Sequence, residues 1–288
     1  MSDAAGEATM MRGKRVVVTG ATLGIGRVTA LELARRGAEV IIVARDRAKA
    51  DATVAELMQA GAPAASAVVG DLSLMQSVRA IADELRGRFD RLDVLVNNAG
   101  AVFGERKLTA EGFERTFALN HLSYFLLTNL LLDRLQAAGQ ARVVNVSSAA
   151  HQPARMDFDN LQSEKKYSAF GAYCVSKLEN LLFTFELARR LAASGVTANA
   201  AHPGPVASGF GTTEGWIGKV MPLARLFMLT PEKGARTSIF LASSPELTGT
   251  TGKYFAKCKP VRPSARALDE ASQKRLWEVS AKLTGLSC

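Results

Sequence analysis

The sequence has little of the material from which disulfide frameworks, metal centres and membrane spans are built. Its 288 residues include three histidines and three cysteines, which are Cys174, Cys258 and Cys288. An odd, sparse set of cysteines argues against a disulfide framework, and no pair has metal-ligand spacing. No apolar run reaches the roughly 18 residues that a membrane-spanning helix needs. We therefore expect no metal, a reducing compartment and a cytoplasmic protein.

The amino-terminal residues also lack a targeting signal. Residues 1–12 are short and polar to mixed, without the hydrophobic segment of a secretory signal or a membrane anchor. We interpret them as an N-terminal extension, and we expect at most peripheral contact with a membrane.

Negative charge is in deficit, which favours anionic ligands. Lysine and arginine number 36 against 27 acidic residues, so the net charge is +9 and the pI is near 9.7. A phosphate-rich cofactor, a nucleic acid or an anionic membrane surface would each suit this balance. The cationic residues are scattered and are not interleaved with aromatic residues, so we expect no nucleic-acid partner.

Short apolar runs alternate with helical patterns along the chain. The patterns predict strands at Arg15–Thr19, Glu39–Ala44, Ala67–Val69, Val94–Asn97, Arg142–Ser147 and Thr197–His202, with a short seventh at Gly252–Phe255. They predict helices at Arg27–Arg36, Arg47–Ala60, Leu74–Arg88, Thr109–Leu119, His121–Ala138, Ala172–Leu191 and Gly234–Leu241.

This alternation predicts an α/β fold of the Rossmann type. Buried, non-alternating strands separated by helices indicate a doubly wound, mostly parallel sheet with helices on both faces. We predict a single domain at 13–258, followed by a C-terminal helical tail at 259–288 with a helix around Leu268–Leu283. Ligands of such sheets collect beyond the carboxyl ends of the strands. The residues that follow the first six predicted strands at that edge are Gly20, Arg45, Asp71, Asn98, Ser148 and Pro203.

A glycine-rich turn follows the first predicted strand. The run Thr19-Gly20-Ala21-Thr22-Leu23-Gly24-Ile25-Gly26 lies between that strand and a helix, which is the context of a dinucleotide pyrophosphate site. Glycines let the backbone approach the phosphates, which rest at the positive helix end. The alternative is a tight packing turn. We expect cofactor contacts from Gly20, Thr22, Leu23, Gly24, Ile25 and Gly26.

The end of the second strand favours NADP(H) over NAD(H). Val43-Ala44-Arg45 places a guanidinium where an acidic residue would bind the ribose hydroxyls of NAD, and arginine can bind a 2′-phosphate. Asp46 follows at once and could instead cap the next helix. Asp71 and Leu72 could contact the adenine, although a helix cap is compatible with the same residues.

Tyr173 and Lys177 form the candidate acid-base pair. Their i, i+4 spacing puts both side chains on one helix face, where the ammonium is expected to lower the pKa of the phenol. An isolated Tyr-x-x-x-Lys is usually an ordinary amphipathic helix, so the interpretation depends on the glycine-rich turn before it. Residues 205–231 are rich in apolar side chains and predict a substrate lid, or equally a helix packed on the core or in an oligomer interface.

The ordered motifs resemble the short-chain dehydrogenase/reductase family over nearly the whole chain. The likeness comprises the glycine-rich turn, Asn97-Asn98-Ala99-Gly100, the tetrad of Asn120, Ser148, Tyr173 and Lys177, and Pro203-Gly204-x-Val206-x-Ser208. Three further segments, at 163–167, 172–180 and 274–280, are similar to retinol dehydrogenases. The long spacer between Ser148 and Tyr173 is also similar.

The resemblance implies an NADP-dependent oxidoreductase for a bulky lipophilic carbonyl or alcohol. It implies that Tyr173 exchanges the proton and Lys177 also bonds the nicotinamide ribose. Ser148, in preference to Ser147, polarises the substrate oxygen, and Asn120 holds a water. Asn98, Ala99 and Gly100 would line the adenine ribose, and Pro203, Gly204, Val206 and Ser208 would contact the nicotinamide. A homodimer or homotetramer is a further expectation, as is an alternative function as a reductase of tethered acyl or polyketide intermediates or a non-catalytic NADP sensor.

Overall fold

The structure, a computed structural model, describes residues 10–205 and 229–287. Its strands are β1 (Arg15–Thr19), β2 (Glu39–Ala44), β3 (Ala65–Val69), β4 (Val94–Asn97), β5 (Ala141–Val146), β6 (Val196–His202), β7 (Tyr254–Ala256) and β8 (Lys259–Pro260). They form one sheet in the order β3-β2-β1-β4-β5-β6-β7-β8. Every neighbouring pair is parallel except β7–β8.

Helices cover both faces of this sheet. They are α1 (Gly24–Arg35), α2 (Arg47–Gln59), α3 (Met75–Arg88), α4 (Ser123–Leu130), α5 (Leu132–Gln136), α6 (Ala169–Arg190), α7 (Pro231–Ser243) and α8 (Glu270–Thr284). A short turn of helix, Arg115–Phe117, and a π-helical segment, Ala118–Leu122, lead into α4. The predicted Rossmann-type α/β fold is confirmed.

The sheet forms because its central strands are β-branched and have no polar face. Val16, Val17 and Val18 of β1 are fully buried, and Val17 and Val18 lie in different apolar clusters on the two faces of the sheet. A strand buried on both sides is possible only where helices cover both faces. The strand order reverses between β1 and β4, so a crevice opens at the carboxyl ends of these two strands.

The segment around Thr109 corrects one prediction. Thr109–Leu119 is predicted as a helix, but Thr109 donates its N–H to Phe113 O at 2.7 Å and Leu108 forms an antiparallel bridge with Glu114. The helix begins only at Arg115, because the Glu114 carboxylate accepts the N–H groups of residues 116 and 117. The predicted helix His121–Ala138 is likewise interrupted, at Leu131.

Both chain ends are more integrated than predicted. Met11, placed in the N-terminal extension, is buried and donates its N–H to Arg36 O at 2.8 Å. The C-terminal tail is part of the domain, because α8 packs on α6 and α4. Its Trp277 ring lies 4.9 Å from that of Phe125 and 5.9 Å from that of Phe183. The fold therefore extends over both predicted boundaries.

The described ranges, 10–205 and 229–287, lack two kinds of feature. None of their helices is long and apolar enough to cross a membrane. These ranges also contain no group of three or more His, Cys, Asp or Glu side chains arranged to hold a metal ion.

Glu179 of α6 is a buried carboxyl that has no counter-ion within 10–205 and 229–287. It is 1% exposed, and neither carboxyl oxygen has a hydrogen-bond partner among the described residues. Burial, reinforced by the charge of Glu114, raises the pKa of Glu179 well above its ordinary value of 4.5. The side chain borders a cavity of about 220 Å³ between α6 and residues 155–168. A carboxyl in this position destabilises the fold once it ionises.

Glu179→Gln is predicted to remove a pH-dependent loss of stability. The folded protein binds this proton more tightly than the unfolded chain, so its free energy of unfolding falls as pH rises above about 4.5. The slope is about 1.4 kcal/mol per pH unit until the folded-state pKa is passed. Urea unfolding of both proteins from pH 4 to 8 should show their difference growing with pH.

The matched control is Glu186→Gln on the same helix. Burial opposes ionisation there, but hydrogen bonds from Arg189 and Arg190 hold the pKa of Glu186 below its ordinary value. Its substitution should therefore destabilise the protein at neutral pH, and the effect should fade in acid. A pH-independent difference between wild type and Glu179→Gln would contradict the buried-carboxyl account.

Candidate active site

The glycine-rich turn is packed so closely that side chains are excluded from it. Gly20 has φ of +66°, and a Cβ there would lie 2.9 Å from the Ala99 Cα. A Cβ at Gly26 would lie 2.4 Å from both Asn98 Nδ2 and Gly20 O. Asn98 holds the turn by donating Nδ2–H to Thr19 O at 2.9 Å and to Gly20 O at 3.2 Å. The amide of Asn98 is therefore committed to the turn, which refines its predicted place beside the adenine ribose.

The N-terminus of α1 fits a phosphate group. Leu23 is the N-cap residue and supplies no side-chain hydrogen bond, and the first turn contains no acidic residue. The first N–H groups of an α-helix have no partner inside the helix and carry partial positive charge. Leu23 is 52% exposed, so this end of the helix opens to solvent. The residues present would hold the pyrophosphate of a dinucleotide.

Arg45 and Asp46 divide the roles that the sequence left open. Asp46 caps α2 by accepting the Lys49 N–H at 3.0 Å. Arg45 is exposed and has no ion pair among the residues in 10–205 and 229–287. Asp71 accepts the N–H and the hydroxyl of Ser73, each at 2.8 Å, and so orders the turn after β3. Leu72 beside it is buried.

Helix α6 carries Tyr173 and Lys177 to the end of β5. Ser168 caps the helix by accepting the Gly171 N–H at 3.3 Å. Ser147, the residue after β5, donates its hydroxyl to Lys177 O at 2.7 Å, which ties the helix backbone to the strand end. The Ser147 hydroxyl therefore has a structural role at the junction of β5 and α6.

Ser148 lies beside Tyr173, and the two side chains are hydrogen-bonded. The Ser148 oxygen also accepts the Ala150 N–H at 3.2 Å. Of the two serines that the sequence offered, Ser148 is the one the structure brings to the phenol.

Lys177 is 1% exposed, and its side chain extends into the centre of the site. Its ammonium donates to Val146 O at 3.0 Å and lies 5.5 Å from the centre of the Tyr173 ring. A Cβ at Gly100 would lie 3.3 Å from Asn120 Oδ1 and 3.6 Å from Lys177 Nζ, so the loop after β4 runs close to both side chains. Burial lowers the pKa of Lys177 to about 7.

The expected effect of Lys177 on the phenol is not found in the free protein. Burial raises the pKa of Tyr173 to about 12, and the hydrogen bond with Ser148 only partly offsets this. Lys177 is itself only about half protonated at neutral pH with a pKa of about 7, so it supplies a weak field. Tyr173 is consequently a protonated phenol, which is the form that donates a proton.

Asn120 lies in the π-helical segment, where an extra residue per turn directs its side chain inward. Its Nδ2 donates to Ala101 O at 2.9 Å and to Ser176 Oγ at 3.0 Å, and its Oδ1 accepts the Ala101 N–H at 2.9 Å. These three hydrogen bonds fasten the loop after β4 to α6. Asn97, by contrast, bridges strands by donating to Asn145 Oδ1 at 2.8 Å.

The predicted nicotinamide loop is described only in part. Pro203 and Gly204 follow β6 at the expected edge, and Gly204 has φ of +85°. Val206, Ser208 and the predicted lid as far as residue 228 lie outside the described residues. The end of that predicted lid, Pro231, is the first residue of α7.

Two residues near the site were missed or assigned no role by the sequence. Phe170 is 64% exposed and stands one turn before Tyr173 on the same helix face, a spacing that could have revealed it. His151 is fully buried, and its imidazole is hydrogen-bonded to the C-terminal segment. Its hydrogen-bond partner Ser264 is 113 residues away, and the sequence carries no signal of that contact.

The comparisons with known proteins agree with this geometry. Residues 14–215 match the sequence profile of the short chain dehydrogenase family. Retinol dehydrogenase 14 of Homo sapiens is 42% identical to this chain, and the alignment covers 98% of this chain and 89% of that protein. An uncharacterised protein from Mycobacterium paratuberculosis superposes with a TM-score of 0.79 at 37% identity, covering 99% of this chain and 97% of its own.

A further solved relative carries a dinucleotide. It is a 3-ketoacyl-(acyl-carrier-protein) reductase from Brucella melitensis, complexed with NADH. Its TM-score is 0.66 at 26% identity, with 89% of this chain and 99% of that chain covered. The profile, the relatives and the positions of Ser148, Tyr173 and Lys177 lead to one assignment: the chain belongs to the short-chain dehydrogenase/reductase family of oxidoreductases, in its retinol dehydrogenase-like group.

Proposed function

We propose that the protein is an NADP-dependent oxidoreductase that transfers hydride between the nicotinamide and a carbonyl or alcohol carbon. The observation that supports this most is the convergence of Ser148, Tyr173 and Lys177 at the carboxyl edge of the sheet. The same edge carries the open helix end that suits a pyrophosphate. The bound cofactor supplies the hydride; the chain supplies the proton and the orientation of the reacting oxygen.

Each side chain then has one task. Ser148 donates a hydrogen bond to the substrate oxygen and holds it against Tyr173. Tyr173 donates its proton to that oxygen as the carbonyl is reduced, and it accepts the proton in the reverse direction. Lys177 lies under the phenol and favours its deprotonated form once its own ammonium is fully charged. Asn120 keeps the loop after β4 and α6 in register around this centre.

We propose a bulky lipophilic substrate of the retinal or retinol, steroid or long-chain aldehyde type. The relative named retinol dehydrogenase supports an apolar substrate. The exposed Phe170 ring supports it as well, because position 170 shares a helix face with positions 173 and 177. A cytoplasmic location and a homodimer or homotetramer stay predictions.

Tyr173→Phe is predicted to lower turnover by about 100-fold or more, because loss of a general acid typically costs 10²–10⁴ in rate. The measurement is NADPH oxidation with a panel of lipophilic aldehydes and ketones, alongside NADPH binding by fluorescence. Binding should be retained, since the ring stays in place.

The control for this variant is Tyr124→Phe. The Tyr124 hydroxyl is buried and has no hydrogen-bond partner in the part of the chain described, and the centre of the Tyr124 ring lies 6.0 Å from Lys177 Nζ. Its removal should leave turnover unchanged. A Tyr173→Phe enzyme as active as this control would refute the acid-base role.

Arg45→Gln is predicted to weaken NADPH use and spare NADH use. A hydrogen bond to a charged group contributes about 1.5–3 kcal/mol, which corresponds to a rise in KM for NADPH of roughly 10- to 100-fold. The control is Arg47→Gln, because Arg47 is also exposed but pairs with Asp51 at 3.6 Å within its own helix. Equal effects of Arg45→Gln on the two cofactors would sink the assignment of NADP.

Phe170→Ala is predicted to raise the KM for a long or polycyclic aldehyde about fivefold or more. The partial burial of one aromatic ring against substrate contributes about 1 kcal/mol. A short-chain aldehyde should be unaffected, since it does not reach the ring. Met58→Ala, an exposed apolar residue on α2, is the control. Loss of activity with short and long aldehydes alike would indicate a structural role for Phe170 instead.

A further inference from the structure

His151 is a buried histidine with both ring nitrogens engaged. Its Nδ1 lies 2.7 Å from Ser148 O, and its Nε2 lies 3.1 Å from the backbone N of Ser264. The Ser264 N–H can only donate, so Nε2 is the acceptor and the ring proton is on Nδ1. The imidazole is therefore neutral, and it donates to the carbonyl of Ser148. Burial lowers the pKa of His151, which is consistent with that form.

The contact with Ser148 is doubled. The Ser148 carbonyl accepts the His151 backbone N–H at 3.2 Å as well as Nδ1–H at 2.7 Å. On the other side of the same turn, His202 Nδ1 accepts the Ala149 N–H at 3.2 Å. The Ser148 carbonyl and the Ala149 N–H belong to one peptide group, the one that follows the Ser148 side chain. That peptide is thus held by two imidazoles, which fixes the backbone that carries the Ser148 hydroxyl.

The other end of His151 is anchored in the C-terminal segment, beyond the sheet. Arg266 donates to Ala154 O at 3.2 Å and to Gln152 O at 3.4 Å, so this segment is hydrogen-bonded to the loop that follows Ser148. Ala267 is fully buried beneath it. The Tyr254 ring meets His151 edge-on at 5.2 Å and keeps the imidazole from turning.

We propose that His151 is a positioning residue for Ser148. The Ser264 N–H holds the His151 ring, so the C-terminal segment helps to position Ser148 through His151. This rests on the proposed function, in which Ser148 orients the substrate oxygen. The imidazole couples the two: Ser264 fixes its tautomer and ring angle, and the ring fixes the Ser148 peptide.

A pair of substitutions at Ser264 isolates the single N–H. Ser264 has φ of −60°, a value that proline also adopts, so Ser264→Pro removes the N–H without forcing a new backbone angle. Ser264→Ala keeps the N–H, and the hydroxyl it removes has no hydrogen-bond partner among the described residues. We expect Ser264→Pro to lower kcat about 10-fold or more, since a small displacement of a catalytic group is costly, and Ser264→Ala to match wild type. NADPH affinity should be equal in all three.

His151 is then tested by a double-mutant cycle with Ser148→Ala. His151→Leu should lower kcat about 10-fold or more in the wild-type background and by less than about twofold where Ser148 is already alanine. His151→Asn, whose amide can still donate toward the Ser148 carbonyl, should recover part of the loss. A purely structural histidine would instead lower kcat by the same factor in both backgrounds.

The outcomes separate the two proposals. Equal kcat for Ser264→Pro and Ser264→Ala, or additive effects in the cycle, would overturn the positioning role. An Ser148→Ala enzyme with wild-type turnover would instead overturn the proposed function. Should His151→Leu fail to fold by circular dichroism, the Ser264 pair decides alone, because neither change creates a cavity in the core.

Discussion

The arrangement of the site depends on one buried contact, that of the Lys177 ammonium with the carbonyl of Val146. A lysine sealed from water is unfavourable unless its charge is compensated. The fold compensates it partly with this carbonyl and partly by lowering the pKa of the amine to about 7. Because Val146 is the last residue of β5, the contact brings α6 across the strand end. The Ser147 hydroxyl, donating to Lys177 O, fixes the same junction from the other side.

The same burial sets the chemistry. Tyr173 shares the dry environment of Lys177, and its pKa rises to about 12, so it is a protonated phenol in the free protein. Removal of water disfavours the charged form of both groups, so it raises the pKa of the phenol and lowers the pKa of the amine. Tyr173 is thus a protonated phenol, while Lys177 is about half charged at neutral pH. Full protonation of the Lys177 amine would lower the pKa of the Tyr173 phenol. Any bound group that favours the charged lysine would therefore also make the phenol more acidic.

Strands β1, β2 and β4 were predictable because each is a short, buried run rich in β-branched residues. The exposed two-residue strand β8 was not predicted. The predicted β1, β2 and β4 have the bounds that the structure gives, and the glycine-rich turn follows β1 as predicted. Helix starts were less predictable, since α1, α6 and α7 each begin three residues before the predicted position. The start of α3 was predicted within one residue, although its cap comes from a distant residue. Glu111 receives the N–H groups of Met75 and Gln76 at the start of α3, 36 and 35 residues away. Local pattern contains no trace of such a cap.

The same limit applies to the site. Tyr173 and Lys177 share a helix face, so spacing alone brings them together. The contact between Ser264 and His151, which continues to Ser148, joins residues 113 apart in the sequence and is visible only in the folded chain. The prediction that the pKa of Tyr173 is lowered was wrong for a related reason. The sequence shows the neighbouring cation, but it does not show the burial that raises the pKa.

The most direct measurement follows the hydride itself. NADPH carrying deuterium at the transferring C4 position is incubated with the protein and a lipophilic aldehyde, and the alcohol is analysed by mass spectrometry and NMR. The account predicts one deuterium on the carbinol carbon, with the hydroxyl proton taken from solvent by way of Tyr173. An alcohol without deuterium on that carbon, or no alcohol from any aldehyde or ketone offered, would contradict it.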